Sequence, residues 1–455
     1  MKYKIGMMSL GCPKNQCDAE LMLHKLHEAG WRLVEDIAKS DVAIVNTCGF
    51  IESAKAESIE EIIELGKLKD EGTIKRIVIT GCLAERYRDE ILEEMPEVDA
   101  VVGIGANMHI VDVCRRVLEG ERFSLYGEKT DMPMDGGRVQ TTPPFYAYLR
   151  VADGCDNRCA YCAIPAIRGG YRSRCMENIV AEAKELAEGG VRELILVAQD
   201  TTRYGEDLYG ENKLPELLDA LCEIEGIMWI RLLYCYPDRV SDKLLETMAR
   251  QPKIVKYMDI PLQHCNAEIL RAMNRRGDKD SLLELIAKIR AAVPGIVLRT
   301  TMMVGFPGET RDHIRELAEF IREAKFERLG CFVWSAEEGT PAYDLPDRIS
   351  EKEGNRRQEI IMEEQSRSID AWAQSMIGRE VDVVAEGYDR LAECCFGRTM
   401  YDAPEIDGKV FFKSGGVQLT EGDIVRIRIT DQMECDLLGE RVSACAEITD
   451  TVELD

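Results

Sequence analysis

What this 455-residue chain lacks narrows the reading first. No apolar run reaches the roughly 18 residues of a bilayer span, so no membrane-spanning helix is expected. The first residues carry no signal-peptide pattern, and the expected place of work is the cytoplasm, with no membrane partner. Positive charge is in short supply: 58 Lys and Arg stand against 83 Asp and Glu, a net charge of −25. A chain gripping nucleic acid along its backbone would need basic patches, so the balance favours a basic partner. Cysteine, by contrast, is plentiful at 17 residues. Without a secretory pattern, that number points to metal ligation rather than a disulfide framework. Most of the remaining cysteines are expected as small buried hydrophobes.

The densest group is Gly154-Cys155-Asp156-Asn157-Arg158-Cys159-Ala160-Tyr161-Cys162, with spacing C-x-x-x-C-x-x-C. It lies between an apolar strand-like run, 145–151, and an Arg/Gly-rich loop, 168–174. Such close thiolates can hold three irons of a [4Fe–4S] cluster, because sulfur is the soft ligand these clusters take. Three ligands leave one iron open, where a substrate or cosubstrate can be bound and reduced. A zinc knuckle or a set of buried thiols could use the same residues. Zinc, however, more often takes paired C-x-x-C units with a fourth Cys or His nearby. The chain has no second C-x-x-C, and the closest later cysteine is Cys175.

From Lys2 to about Leu118, short β-rich runs (3–9, 42–46, 76–80) alternate with helical ones (16–29, 51–67). This βαβα rhythm implies a parallel sheet flanked by helices. Each run ends alike, in Ser9-Leu10-Gly11-Cys12, Asn46-Thr47-Cys48-Gly49 and Thr80-Gly81-Cys82. Strand carboxyl ends share one sheet edge, where open α/β folds bind ligands, so cysteines 36 and 34 residues apart can converge there. Three separate buried thiols are the competing reading. Cys17 and Cys114 are expected in the core.

Residues 119–144 carry no periodicity and read as a linker. From 145 to 371 the βα rhythm returns, with strands expected at 194–198, 228–233, 257–260, 296–304 and 328–333. Six such units suit an incomplete (β/α) barrel, whose active site would lie at the strand carboxyl ends. Polar words stand there: Gln199-Asp200-Thr201-Thr202, Tyr234-Cys235-Tyr236-Pro237 and Pro261-Leu262-Gln263-His264. Arg299 precedes Gly305-Phe306-Pro307-Gly308-Glu309-Thr310, a turn without the Lys-Ser/Thr pair of a P-loop. His264 is expected in a satisfied polar role rather than as a ligand. A charged helical stretch, 344–367, leads to short β segments after Gly378, as in a small barrel. From Met376 onward, 8 Lys/Arg face 18 Asp/Glu, a balance of −10, which is poor for binding RNA phosphates.

The Cys155–Cys162 motif with Tyr161 before its last cysteine resembles the radical S-adenosylmethionine superfamily. Cys162-Ala163-Ile164-Pro165 and Arg168-Gly169 resemble its methylthiotransferase branch more specifically. Gly11-Cys12-Pro13-Lys14-Asn15, Asn46-Thr47-Cys48 and Gly81-Cys82-Leu83-Ala84-Glu85-Arg86 are similar to that branch's N-terminal domain. The Asp402-Ala403-Pro404-Glu405-Ile406-Asp407-Gly408 turn and Lys14, where the tRNA branch has Met, resemble the RimO-type enzymes. Gln16-Cys17-Asp18-Ala19-Glu20 departs from the hydrophobic-Val-Asp-Ser-Glu usual there.

This resemblance implies an N-terminal Rossmann-like parallel α/β domain (1–118), a central incomplete (β/α)6 TIM-type radical barrel (145–371) and a C-terminal antiparallel TRAM β-barrel (375–455). It implies two [4Fe–4S] clusters, one on Cys155, Cys159 and Cys162 and an auxiliary one on Cys12, Cys48 and Cys82. S-adenosylmethionine would be radical source and methyl donor, in a pocket lined by Gln199, Asp200, Arg299, Gly305, Pro307 and Gly308. The implied activity is methylthiolation of an aspartate β-carbon in small-subunit ribosomal protein S-twelve, with a flavodoxin or ferredoxin as electron donor and no direct tRNA substrate. The alternatives are a tRNA adenosine methylthiotransferase and, from another class, a non-catalytic Fe–S electron carrier or scaffold. The barrel and the G-F-P-G-E-T word would be superfluous to an electron carrier.

Overall fold

A computed structural model of the chain describes residues 3–442, so the last part of the stretch expected as a C-terminal barrel, 443–455, lies outside the described residues. The chain divides into two compact units, 1–365 and 366–455.

The first unit contains two parallel sheets. In the N-terminal one, β1 (Lys4–Ser9), β2 (Arg32–Val34), β3 (Val42–Thr47), β4 (Arg76–Gly81), β5 (Ala100–Val102) and β6 (Phe123–Leu125) run in the order β2-β1-β3-β4-β5-β6. β3 is buried along its whole length, as a central strand covered on both faces must be. Helices α1 (Pro13–Glu28), α2 (Glu52–Asp70) and α3 (Cys82–Tyr87) follow β1, β3 and β4 directly, giving the expected βα rhythm. β6 lies in the stretch expected as a linker. Its apolar ends Phe123 and Leu125 pack against the core of this sheet, a contact too short to leave a periodic signal.

The second sheet is made of β7 (Tyr146–Arg150), β10 (Glu193–Val197), β11 (Trp229–Leu232), β12 (Ile254–Asp259), β13 (Val297–Val304) and β14 (Arg328–Val333). They pair in chain order, all parallel, and β7 and β14 remain its edges. The result is the incomplete six-stranded barrel expected from the sequence. Between β7 and β10, the two-residue strands β8 (Ala152–Asp153) and β9 (Arg172–Ser173) pair antiparallel and bracket the cysteine motif. Ile179, Ala183 and Leu186 of the helix Met176–Glu188, at i, i+4 and i+7, lie in the core shared with these strands.

The second unit is a closed barrel of β15 (Glu380–Asp389), β16 (Cys394–Thr399), β17 (Val410–Lys413), β18 (Ile424–Met433) and β19 (Asp436–Arg441), ordered β15-β16-β17-β19-β18. Val425, Ile427 and Ile429 alternate inward along β18, the period of a strand with one buried face. No helix among the described residues is long and apolar enough to cross a membrane.

Candidate active site

Cys12, Cys48 and Cys82 stand where three parallel strands end: Cys12 caps α1, Cys48 follows β3, and Cys82 opens α3. Proline at the first position of α1 suits this start, since its missing N–H has no partner there in any case. Close backbone approach draws the three loops together. A Cβ on Gly11 would fall 2.8 Å from Cys48 Sγ, and one on Gly49 would fall 2.8 Å from the Leu83 backbone nitrogen. Glycine alone fits both places. Asn15 locks the arrangement, donating from Nδ2 to the carbonyls of Leu10 and Thr47, both at 2.9 Å.

Burial raises the Cys82 thiol to about 12; Arg168 opposes this, while Cys12 and Cys48 add to it, as neighbours at one site would. Burial would raise Cys12 as well, but Lys14 and then Arg168 outweigh it and hold that thiol below its ordinary value.

The second triad lies in the loop between β8 and β9. Its backbone is pinned by Cys155 N–H to Gly169 O at 3.1 Å and Ala160 N–H to Met273 O at 2.9 Å. Asn157 N–H points at Cys155 Sγ at 3.5 Å, and Arg275 Nη1 lies 3.8 Å from Cys159 Sγ. Burial pushes the Cys162 thiol up to about 12, with Cys159 and Cys155 contributing after it.

Among the described residues no three His, Cys, Asp or Glu side chains form a ready single-ion site. Each triad supplies three soft sulfurs on loops held by backbone bonds, with a cation within reach of one sulfur. The residues fit a [4Fe–4S] cluster at each place. Because thiolate is the ligand, loading must release the protons that burial holds on thiols such as Cys82 and Cys162.

A buried charge network joins the two triads. Arg168 Nη2 donates to Asn15 Oδ1 at 2.7 Å and Asp18 Oδ2 at 2.8 Å and lies 3.9 Å from Cys82 Sγ. Its Nη1 donates to Asp153 Oδ2 at 2.9 Å, two residues before Cys155. Arg150 completes the group, bonding Asp18 and lying 3.6 Å from Asp153. Two guanidiniums thus face two carboxylates, all at 3% exposure or less. Burial favours the neutral acid, yet Arg168 and Arg150 hold the Asp153 carboxyl below the usual range.

The residues expected around S-adenosylmethionine fall into two groups. Gln199 Nε2 donates to Asp153 Oδ1 at 2.8 Å, and Asp200 accepts from Asn157 Nδ2 at 2.9 Å, so both brace the motif loop. Gly305, Pro307 and Gly308 form the turn after β13, where Phe306 packs with Ala160 and Tyr161 of that loop. Gly305 N–H donates to buried Glu309, which Arg357 Nη1 meets at 2.7 Å. Arg299 lies within β13 and pairs with Asp259 at 2.9 Å. His264 is fully buried, and its Nδ1 accepts from Cys265 and Asn266 N–H. Its Nε2 makes no hydrogen bond among the described residues and lies 3.6 Å from Glu309 Oε2, so the satisfied role expected of it is met on one side of the ring alone.

Sequence reasoning did not find Asp18, Arg150, Asp153 or Arg275. The available signal was polar: α1 buries Lys14, Asn15, Asp18 and Glu20, where an ordinary amphipathic helix buries apolar residues. The acidic turn of the C-terminal barrel also differs from a plain charged surface. Asp402 is 2% exposed and accepts from the Thr399 hydroxyl at 2.6 Å.

Residues 4–103 match the Uncharacterized protein family UPF0004, residues 149–321 the Radical SAM superfamily, and residues 377–442 the TRAM domain. The chain is 49% identical over 445 residues to the ribosomal protein uS12 methylthiotransferase RimO of Desulforamulus reducens, covering 96% of this chain and 99% of that one. It is 43% identical to the protein of the same name from Geobacter sulfurreducens, over 97% and 99% of the two chains. Among solved structures, the radical S-adenosylmethionine methyltransferase TsrM of Kitasatospora setae has a TM-score of 0.53 at 14% identity, over 75% of this chain and 77% of that one. At that identity the likeness shows a common fold. With relatives this similar over nearly its whole length, the chain belongs to the RimO family of radical S-adenosylmethionine methylthiotransferases.

Proposed function

We propose that this protein methylthiolates the β-carbon of an aspartate in ribosomal protein uS12, with both triads facing one reaction space. The supporting observation is the Arg168 network, which ties Cys82 of one triad to Asp153, two residues before Cys155 of the other. A non-catalytic electron carrier would have no need of a barrel turn packed on the motif loop. Cys155, Cys159 and Cys162 would hold the cluster that binds S-adenosylmethionine, and Cys12, Cys48 and Cys82 the auxiliary cluster. When bound, these groups supply a 5′-deoxyadenosyl radical for hydrogen abstraction, a sulfur atom, and a methyl group from a second S-adenosylmethionine.

The chain's own part is binding, orientation and exclusion of water. Phe306, Ala160 and Met273 close an apolar patch under the motif loop, which shields a reactive carbon radical from solvent. Gln199 and Asp200 fix the loop through Asp153 and Asn157, while Arg299, Gly305, Pro307 and Gly308 line the side toward β13. The electron donor would be a small flavodoxin or ferredoxin, and the reaction would take place in the cytoplasm.

The acidic barrel supports a protein substrate, since long-range attraction to a basic ribosomal protein speeds encounter, whereas tRNA phosphates would be repelled. The test uses anaerobically reconstituted enzyme, S-adenosylmethionine and reductant, with a uS12 peptide or tRNA as substrate. Mass spectrometry should find the methylthio group on the peptide aspartate. Product on tRNA alone would overturn the substrate assignment.

A further inference from the structure

Lys14 is 5% exposed, adjoins the first cysteine triad, and reaches across to the barrel. Its ammonium lies 3.4 Å from the centroid of the Tyr234 ring, at the carboxyl end of β11. Among the described residues no carboxylate forms an ion pair with it. The acids around it are already matched. Asp18 and Asp153 face Arg150 and Arg168, Asp259 faces Arg299, and Asp200 accepts from Asn157 and Thr202.

Burial disfavours the Lys14 ammonium, while Tyr234 and then Cys12 favour it, and no carboxylate is among these partners. Tyr234 holds its place through a backbone with φ of 60° and its N–H bond to Asp259 at 3.0 Å. Two residues on, Tyr236 stacks with Arg275 at 4.4 Å, and Arg275 contacts Cys159. Lys14 therefore stands as a buried positive charge between Cys12 and the Tyr234–Tyr236–Arg275 chain that reaches Cys159.

We propose that Lys14 is the specificity residue of this reaction, receiving the side-chain carboxylate of the target aspartate. The proposal rests on the reading of the chain as an aspartate methylthiotransferase. In aspartate the β-carbon is bonded directly to the carboxylate carbon. A charge pair at the carboxylate thus fixes the reacting carbon to within one bond, between the two triads. Inside a low-dielectric site such a pair discriminates strongly between a carboxylate and a neutral amide of the same shape. An adenine base offers no carboxylate to this ammonium, which discriminates against tRNA.

The test compares two uS12 peptides, identical except for Asp or Asn at the modified position, on full-length reconstituted enzyme. Binding is read by fluorescence anisotropy before reductant is added, and iron content is measured in every sample. Wild type should bind the Asp peptide roughly tenfold or more tightly than the Asn peptide, the scale of one buried charged contact. Lys14→Met should bring that ratio near one while keeping the iron of both clusters, and Lys14→Arg should retain a preference for Asp. Should Lys14→Met fail to take up iron, Lys14→Gln and the wild-type ratio decide the matter. An Asp/Asn ratio near one in wild type, or one unchanged in the Met or Gln variant, overturns the proposal. Lys14 would then serve only to balance the charge near Cys12. Product on tRNA and none on the Asp peptide would instead defeat the functional reading itself.

Discussion

Replacing Arg168 with methionine removes one of four charges that are balanced only as a set. Asp18 and Asp153 would remain buried with Arg150 as their single guanidinium, leaving one uncompensated negative charge beside both triads. Removing one partner of a buried pair costs about 3–5 kcal/mol, far more than loss of an exposed one. A unit of 365 residues unfolds with an entropy of about 0.8 kcal/mol/K, so the expected fall in melting temperature is roughly 4–6 °C. The assay is anaerobic calorimetry at a fixed scan rate on samples of equal iron content. Charge balance makes a sharper claim than the single variant. Arg168→Met combined with Asp18→Asn leaves Arg150 facing Asp153, one charge against one. That double variant should melt well above the value expected from adding the two single losses, with a coupling of about 2 kcal/mol. Losses that add within about 0.5 kcal/mol would refute the balanced network and reduce Arg168 to a packing residue.

Replacing Cys155, Cys159 and Cys162 together with Ala should leave about half of the roughly eight irons expected for two [4Fe–4S] sets. Glu337 takes Arg86 at 2.7 Å and Lys55 at 3.4 Å, joining the N-terminal sheet's helices to the barrel. Burial would raise its carboxyl, but Ser335, Arg86 and Lys55 hold it below its ordinary value of 4.5. Its contribution is therefore complete above that value and is lost as pH falls through the lower folded one. Glu337→Gln should thus cost about 2 kcal/mol at pH 7, and the difference from wild type in thermal melts should shrink only below about pH 4.5. In the C-terminal barrel, changing the exposed Glu405, Glu421 and Asp431 to Lys should lower kcat/KM for whole uS12 several-fold at low salt and less at high salt. Asp402 is unsuited to that experiment, because it is buried in its own turn.

The parallel sheets were legible because their strands are β-rich apolar runs spaced by amphipathic helices, a purely local signal. The six strands of the barrel fall where periodicity placed them, and the cysteine-ending loops meet because parallel strands end on one edge. β2, β5 and β6 escaped notice because three residues are too few to show a period. The charge network was illegible for a different reason. Asp18 and Arg168 lie 150 residues apart, and each reads alone as a solvated side chain. Glu20 is likewise buried because Arg138 and Thr141, both from the stretch expected as a linker, donate to its carboxylate. Lys14 could be read from sequence as a mark of family branch, but its burial against Tyr234 depends on the barrel coming to face α1.

The central claim is that two cysteine triads divide one reaction between them. It is tested most directly by replacing Cys12, Cys48 and Cys82 with Ala and following both products under reducing conditions. 5′-Deoxyadenosine should still be released from S-adenosylmethionine, while no methylthiolated uS12 peptide forms. Methylthiolated peptide appearing at the wild-type rate would contradict it, and would make the three strand-end cysteines structural thiols.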